Sequence, residues 1–241
     1  MMPNFIEPSV SPWAHRIVPI EKKDGTLRVC IDYRPVNEVT IGDAYPSTDP
    51  SFILDHLAGR HVFTKLDAEK GYYQVNLDIS SRPLTAFTSP IGLFQFKVLP
   101  FGLKNAVAYF QRMMNNILAH TLNKTNFVLL DDILTASPSY QEHLIHLRET
   151  LSLLRAKGVC LNLSKCEFAL LCLTYLGFVI DETGLHADPH KITAIQNWSV
   201  PKTKKDVRSF VGAINYLRRF IPNCAHYTSC LADLTSDLIT S

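Results

Sequence analysis

Phe127-Val128-Leu129-Leu130-Asp131-Asp132-Ile133-Leu134 sets two adjacent carboxylates inside a run of apolar, strand-forming residues. Adjacent carboxylates repel, and desolvating them among such neighbours is costly, so a bound cation is one reason to place them there. A polar hairpin turn is the other, because Asp is common in turns. A second acidic position bears on the choice. Phe63-Thr64-Lys65-Leu66-Asp67 again ends a short apolar segment on an aspartate, 64 residues before Asp131. Neighbouring strands of one sheet would bring Asp67 to the Asp131-Asp132 pair. Three carboxylates at one strand edge make an all-oxygen site, which suits Mg²⁺ or Mn²⁺ rather than zinc. Two such ions roughly 3.5–4 Å apart can clamp the attacking and leaving oxygens of an in-line phosphoryl transfer. Polymerisation and phosphodiester hydrolysis both fit that chemistry.

Working outward, residues 1–15 are Pro-containing and read as irregular. Residues 16–20 and 27–31 flank a turn-like Lys23-Asp24-Gly25-Thr26 and form a hairpin pattern. A loop is expected over 41–50, a short helix over 51–57 and a strand over 62–66 that reaches Asp67. Strands are expected at 74–77, 85–88 and 93–98. Phe110, Met113, Met114, Ile117 and Leu118 give residues 104–122 a helical stripe, which is core packing rather than a binding feature. Ser139 with Glu142 has the capping-box spacing for a helix that stops at Gly158. Strands over 159–163 and 174–180 follow. A second capping box, Thr203 with Asp206, starts a helix that carries Val207, Phe210, Val211, Ile214 and Leu217. The pattern is α+β: a meandering antiparallel sheet backed by helices, then a helical tail.

The chain of 241 residues has 46% hydrophobic and 19% charged residues, ordinary for a globular protein, and a net charge of only +2. The basic excess is in the tail, where residues 201–241 hold six Lys/Arg against three Asp/Glu. Six cysteines without a C-x-x-C pair imply free thiols in a reducing intracellular compartment, cytoplasm or nucleus. Cys224-Ala-His226 and Cys230 lack a fourth ligand at suitable spacing, so no structural zinc is expected. The longest apolar stretch, residues 168–180, is too short to span a bilayer, which argues against a membrane protein. Nothing in the sequence fixes an oligomeric state.

An ordered set of motifs then narrows the reading. It comprises Ser11-Pro12-Trp13, Lys22-Lys23-Asp24-Gly25, Arg28-Val29-Cys30-Ile31-Asp32-Tyr33-Arg34 with Asn37, Phe63-Thr64-Lys65-Leu66-Asp67 with Gly71-Tyr72, and Thr85-Ala86-Phe87. It continues with Leu99-Pro100-Phe101-Gly102-Leu103-Lys104-Asn105-Ala106, Phe110-Gln111, Leu130-Asp131-Asp132-Ile133-Leu134, Lys165-Cys166 and Tyr175-Leu176-Gly177. In this order the motifs resemble the reverse transcriptase of gypsy-class long-terminal-repeat retrotransposons, over nearly the whole chain.

The resemblance implies a right-hand polymerase core, with fingers and palm over residues 1–180 and a partial thumb or connection-like helical segment over 181–241. It implies RNA-directed DNA polymerase activity with two Mg²⁺ or Mn²⁺ ions, on an RNA or DNA template with primer, using deoxynucleoside triphosphates. Asp67 and Asp131 match the metal-holding aspartates and Asp132 the supporting carboxylate. Lys22 or Lys23 and Arg28 match residues that neutralise the incoming phosphates. Tyr72 matches the aromatic gate against a ribose 2′-hydroxyl, Phe101-Gly102 the floor of the nucleotide pocket, and Tyr175-Leu176-Gly177-Phe178 the hairpin that grips the primer terminus. Leu129 stands where the family carries an aromatic that contacts template and primer, and lower processivity is expected from it. Other departures are Val107 for Pro, Tyr109 for Thr, Leu84 for Lys and His15-Arg16 for Ser-Pro. The match starts inside the fingers and ends before any ribonuclease H or integrase motif, so a truncated element copy is expected. Two alternatives stand beside this reading. One is an inactive relic that at most binds nucleic acid through Arg28, Lys202, Lys204, Lys205, Arg218 and Arg219. The other is a structural protein whose Asp pair is a turn.

Overall fold

The computed structural model describes residues 5–21, 25, 27–46 and 48–235. These fall into two compact units, one within Met1–His56 and Val62–Leu170, the other within Leu57–His61 and Leu171–Ser241. In chain order the first unit holds β1 (Ile6–Pro8), β2 (Ile17–Glu21), β3 (Leu27–Ile31), α1 (Arg34–Val39), α2 (Pro50–His56), β4 (Val62–Asp67), β5 (Phe87–Ser89), β6 (Gly92–Phe96), α3 (Ala106–Ile117), β7 (Asn126–Leu129), β8 (Asp132–Ser137), α4 (Tyr140–Ala156) and β9 (Glu167–Leu170). The second holds β10 (Leu173–Tyr175), β11 (Phe178–Asp181), β12 (Gly184–Ala187), α5 (Pro189–Gln196), α6 (Lys204–Tyr216) and α7 (Cys224–Asp233). The fold is α+β with antiparallel sheets, as the sequence implies.

The central sheet of the first unit has the order β7-β8-β4-β9, with every pair antiparallel. Alternation along β4 separates its two faces. Leu66 joins Val128 and Ile133 in a buried cluster with Phe110 and Met114 of α3 and Leu118 just past its end, and Thr64 hydrogen-bonds His143 of α4. Lys65 and Asp67 therefore point to the other face. Each apolar side chain so buried contributes roughly 1.5–3 kcal/mol, which fixes the register and with it the position of Asp67. Between this sheet and α4 lies a polar network. Asn126 Oδ1 accepts from Thr135 Oγ1 (2.7 Å) and Thr150 Oγ1 (2.9 Å), and Ser137 Oγ meets Nδ1 of both His143 (3.0 Å) and His146 (2.9 Å).

Instead of one meandering sheet, the first unit also has a β1-β6-β5 sheet and a separate β2-β3 ribbon. β1 lies in the stretch expected to be irregular, because Ile6 to Pro8 pair with Phe96 to Phe94 at a sheet edge that tolerates proline. Of the expected strand 74–77, Gln74 ends a 3₁₀ turn, Gly71–Gln74, and the rest makes only a single bridge, Asn76 to Val98. Over 159–163 there is likewise one bridge, Ala68 to Leu161, closed by Asn162 N donating to Asp67 O and Glu69 N to Cys160 O, while the Cys160 N–H turns away to the Gln74 side chain. α3 stops at Ile117, short of 122, where Thr121 Oγ1 caps Leu118 O and Asn123 turns the chain at φ +61°. Ser139 caps α4 by accepting from Glu142 N (3.3 Å). The Glu142 carboxylate bonds the Ser139 hydroxyl rather than the backbone, so the reciprocal box is incomplete.

The second unit is a β10-β11-β12 sheet with three helices among the described residues. The strand expected over 174–180 is split into two, since Tyr175 pairs with Phe178 across a two-residue turn in which Leu176 (φ +53°) and Gly177 (φ +70°) are both left-handed. The domain boundary expected at 180 therefore falls inside β11, and the compact units part between Leu170 and Leu171. Thr203 and Asp206 form the full reciprocal capping box at α6. No described helix is long and apolar enough to cross a membrane.

Candidate active site

Leu129 pairs with Asp132, which leaves Leu130 and Asp131 as the two-residue turn between β7 and β8. Leu130 takes φ +56°, a left-handed conformation that costs a residue with a Cβ on the order of 1–2 kcal/mol. Its N–H is satisfied from the helix behind, by Gln111 Oε1 at 3.0 Å. The turn is thus strained and held from outside, and the doublet does not relax into an ordinary solvated loop.

Asp67, at the end of β4, lies directly opposite Asp132 in the ladder, and Ala68 N donates to Asp131 O (3.3 Å). The three aspartates that the sequence singles out are therefore brought together. Like charges placed opposite one another destabilise a sheet. Two lysines offset them: Lys65 Nζ is 3.5 Å from Asp132 Oδ2 and Lys165 Nζ is 3.5 Å from Asp67 Oδ2. Among the described residues Asp131 has no such ion pair. Its Oδ1 is shut off from solvent and accepts no hydrogen bond. Burial, then the charges of Asp67 and Asp132, push its carboxyl above the ordinary carboxylate range, opposed by Lys165. Gly71 makes room for it, since a Cβ there would stand 3.2 Å from Asp131 Oδ1 and 2.7 Å from Phe110 Cζ.

Among the described residues, no group of three or more His, Cys, Asp or Glu side chains is placed so that it could hold a metal ion as it stands. The donor set is nonetheless all carboxylate oxygen, with one buried oxygen lacking any partner, which is what a hard divalent cation requires.

Asp67 and Asp131, but not Asp132, line a cleft of about 920 Å³, together with Lys165, Cys30, Phe101 and Gly102 among others. Gly102 takes φ +97°, closed to most side chains, and Asn37 clamps the loop by donating to Gly102 O (2.8 Å) and accepting from Lys104 N (2.8 Å). Tyr72 is buried, its ring edge-on to Phe101 at 4.8 Å and 5.2 Å from Phe110. Burial and the Asp131 charge both raise its hydroxyl pKa. Tyr73, not Tyr72, lines the cleft. Lys22 and Lys23 lie outside the described residues, and Arg28 is described only as the β3 residue paired with Ile20.

Tyr175, Leu176 and Gly177 form the hairpin turn of the second unit. Gly177 is abutted by Tyr216 of α6, whose hydroxyl would lie 2.8 Å from an added Cβ and whose ring stacks on Phe178 at 5.0 Å. Lys202, Lys204, Lys205, Arg218 and Arg219 stand around the two ends of α6. Sequence reasoning missed the roles of Lys65, Lys165 and Gln111. For Lys65 the signal was present, since two residues before Asp67 on a strand means the same face. Lys165 and Gln111 reach the aspartates only through long-range packing.

The family described as reverse transcriptase (RNA-dependent DNA polymerase) matches residues 20–180. The chain is 41% identical over 212 residues to the retrovirus-related Pol polyprotein from transposon 297 of Drosophila melanogaster, covering 86% of this chain and 20% of that one. It is 34% identical over 215 residues to the transposon Tf2-3 polyprotein of Schizosaccharomyces pombe, covering 89% of this chain and 16% of that one. Among solved structures it resembles the foamy viral protease-reverse transcriptase dRH in complex with double-stranded DNA, with TM-score 0.88, 28% identity and coverage of 95% of this chain and 40% of that one. The foamy viral protease-reverse transcriptase in complex with an RNA/DNA hybrid matches with TM-score 0.83 and 26% identity, over 98% of this chain and 32% of that one. The chain thus spans a fifth or less of these two polyproteins, and its three aspartates, its antiparallel sheet and its sequence all place it in one group: it belongs to the reverse transcriptase (RNA-dependent DNA polymerase) family, in the branch carried by retrotransposon Pol polyproteins.

Proposed function

We propose that this chain is the catalytic core of an RNA-directed DNA polymerase that adds deoxynucleotides to a primer 3′-hydroxyl. The observation that carries the reading is the half-buried Asp131 carboxylate, its Oδ1 shielded from solvent and without a hydrogen-bond partner among the described residues, set beside Asp67 and Asp132 at the edge of a cleft. Asp67 and Asp131 would hold two Mg²⁺ or Mn²⁺ ions, with Asp132 as the supporting carboxylate. Bound there, divalent ions supply the charge that activates the 3′-hydroxyl and neutralises the triphosphate. The chain's own residues do the rest. Lys165 lies close enough to the aspartates to meet phosphate oxygens in the cleft. Phe101 and Gly102 form the cleft wall, where the absence of a Cβ on Gly102 lets a ligand approach the backbone. Tyr72, held edge-on by Phe101, is the proposed gate against ribonucleotides, and Lys22 or Lys23 with Arg28 the proposed phosphate neutralisers. Leu129 and the Tyr175-Leu176-Gly177 turn are the proposed contacts to template and primer. Nucleic acid as the partner is supported by the similar foamy viral structures, which hold double-stranded DNA or an RNA/DNA hybrid.

Primer extension on an RNA template with Mg²⁺ and deoxynucleotides tests the reading. The expected result is synthesis by the wild-type chain and none by Asp131→Asn or Asp67→Asn. Synthesis that survives Asp131→Asn overturns the assignment. Salt-sensitive duplex binding without incorporation would leave nucleic-acid binding as the function instead.

A further inference from the structure

The aspartate turn is gripped from behind by one side chain. Gln111 of α3 is buried, and both ends of its amide are in use. Oε1 accepts the Leu130 N–H at 3.0 Å, while Nε2 donates to Val128 O at 3.2 Å and to Asn115 Oδ1 at 2.9 Å. Asn115, one turn along α3, donates from Nδ2 to the Tyr45 hydroxyl at 2.8 Å. The Tyr45 loop is braced in turn, with Arg112 4.8 Å over the Tyr45 ring and paired to Asp43 at 2.7 Å.

An amide has a donor end and an acceptor end, so orientation matters. Asn115 presents its oxygen to Nε2 and its nitrogen to Tyr45, which selects one orientation of Gln111. With the Gln111 amide reversed, nitrogen would face the Leu130 N–H and oxygen would face Val128 O, two repulsive pairs in a buried place. The grip acts where it is needed, because Leu130 carries the strained φ of +56° and Asp131 is the next residue.

We propose that Gln111, oriented by the Tyr45–Asn115 relay, is a positioning residue that fixes the Leu130-Asp131 turn and keeps the Asp131 carboxylate beside Asp67 and Asp132. This deepens the polymerase reading and rests on it. It separates from ordinary helix-to-sheet packing by its readout. Packing alone would set melting temperature, whereas positioning also sets how much divalent ion the site requires.

The variants are Gln111→Met, which keeps chain length and removes both hydrogen-bonding ends, Asn115→Ala, which frees the Gln111 amide, and Asn115→Asp, which keeps the acceptor for Nε2. For each, the melting temperature is followed against Mg²⁺ and Mn²⁺ concentration, and primer extension against Mg²⁺. Gln111→Met is expected to move the midpoints of both metal titrations up about tenfold, the usual size of effect when a group that orients a metal ligand is lost. The KM for deoxynucleotide should change much less. Asn115→Ala shifts the midpoints the same way by a smaller factor, and Asn115→Asp restores them. Should Gln111→Met fail to fold, the Asn115 pair carries the test. A lower melting temperature with unchanged metal midpoints in these variants overturns the proposal. A wild-type chain that is neither stabilised by the ions nor able to extend a primer overturns the polymerase reading, and this inference with it.

Discussion

Replacing Asp131 with Asn is expected to make the metal-free protein more stable while abolishing its chemistry. The carboxylate has a solvent-shielded oxygen with no donor and two like charges beside it. A buried acceptor left unsatisfied costs about 1–3 kcal/mol. Asn removes the charge and offers an N–H₂ to the neighbouring carboxylates, so a gain of that order follows. In a unit of this size each kcal/mol moves the melting temperature by roughly 2–4 °C. The pH dependence has a fixed sign. The folded Asp131 pKa is raised above the unfolded value of 3.8, so the ionised group weakens the folded state at neutral pH, and that handicap fades as pH falls through the raised value. The variant's advantage, measured by circular dichroism melts in EDTA at pH 7, should therefore shrink at acidic pH. Divalent ions should work against it: at 100 times its dissociation constant a bound ion adds about 2.7 kcal/mol to the wild type, and little to the variant. An Asp131→Asn protein that melts below the wild type in EDTA, or that gains as much from Mg²⁺, would refute the reasoning.

Three further outcomes are expected. Gly71→Ala places a methyl 2.7 Å from Phe110 Cζ and 3.2 Å from Asp131 Oδ1, so it should destabilise by about 1–3 kcal/mol and reduce kcat in primer extension, both read against Gly71 in the same assay. His143 is buried, and burial, then the neighbouring His146, lowers its pKa below 6.5. Stability should accordingly fall as pH drops below about 6.5, where the unfolded chain takes up a proton that the folded one refuses, and urea titrations of His143→Gln between pH 7.5 and 5 should show a flatter profile. Gly177→Ala forces a Cβ into a left-handed turn and to 2.8 Å from the Tyr216 hydroxyl, with an expected loss of about 1–3 kcal/mol. Tyr216→Phe should recover part of that loss, and a double-mutant cycle that shows no coupling would dispose of the contact.

Local patterns in the sequence carried over well. The Asp67 and Asp131-Asp132 segments, the Ser139 and Thr203 caps and the Phe110-Met114-Leu118 stripe each depend on residues within a few positions of one another, and each is present in the fold. Pairings between distant segments were not legible. β1 exists because Ile6 finds Phe96, and β9 because Leu170 and Glu167 find β4. Periodicity alone ran 174–180 together as one strand, because Leu at the first left-handed position hides the usual Asn-Gly signal, whereas the resemblance already implied the hairpin that Tyr175 and Phe178 form. The site divides the same way. The carboxylates announce themselves by being costly among apolar residues, whereas Lys165 and Gln111 stand in the motif series without a role and gain one only from what they meet in space.

Lys65 and Lys165 have a consequence beyond the cleft. On the proposed polymerase reading, these resident ammonium groups would balance part of the acidic cluster with no ion bound. Ion loading would then be a switch on an already assembled protein rather than a step in its folding. Chelation should then arrest it reversibly, leaving the scaffold intact for reuse.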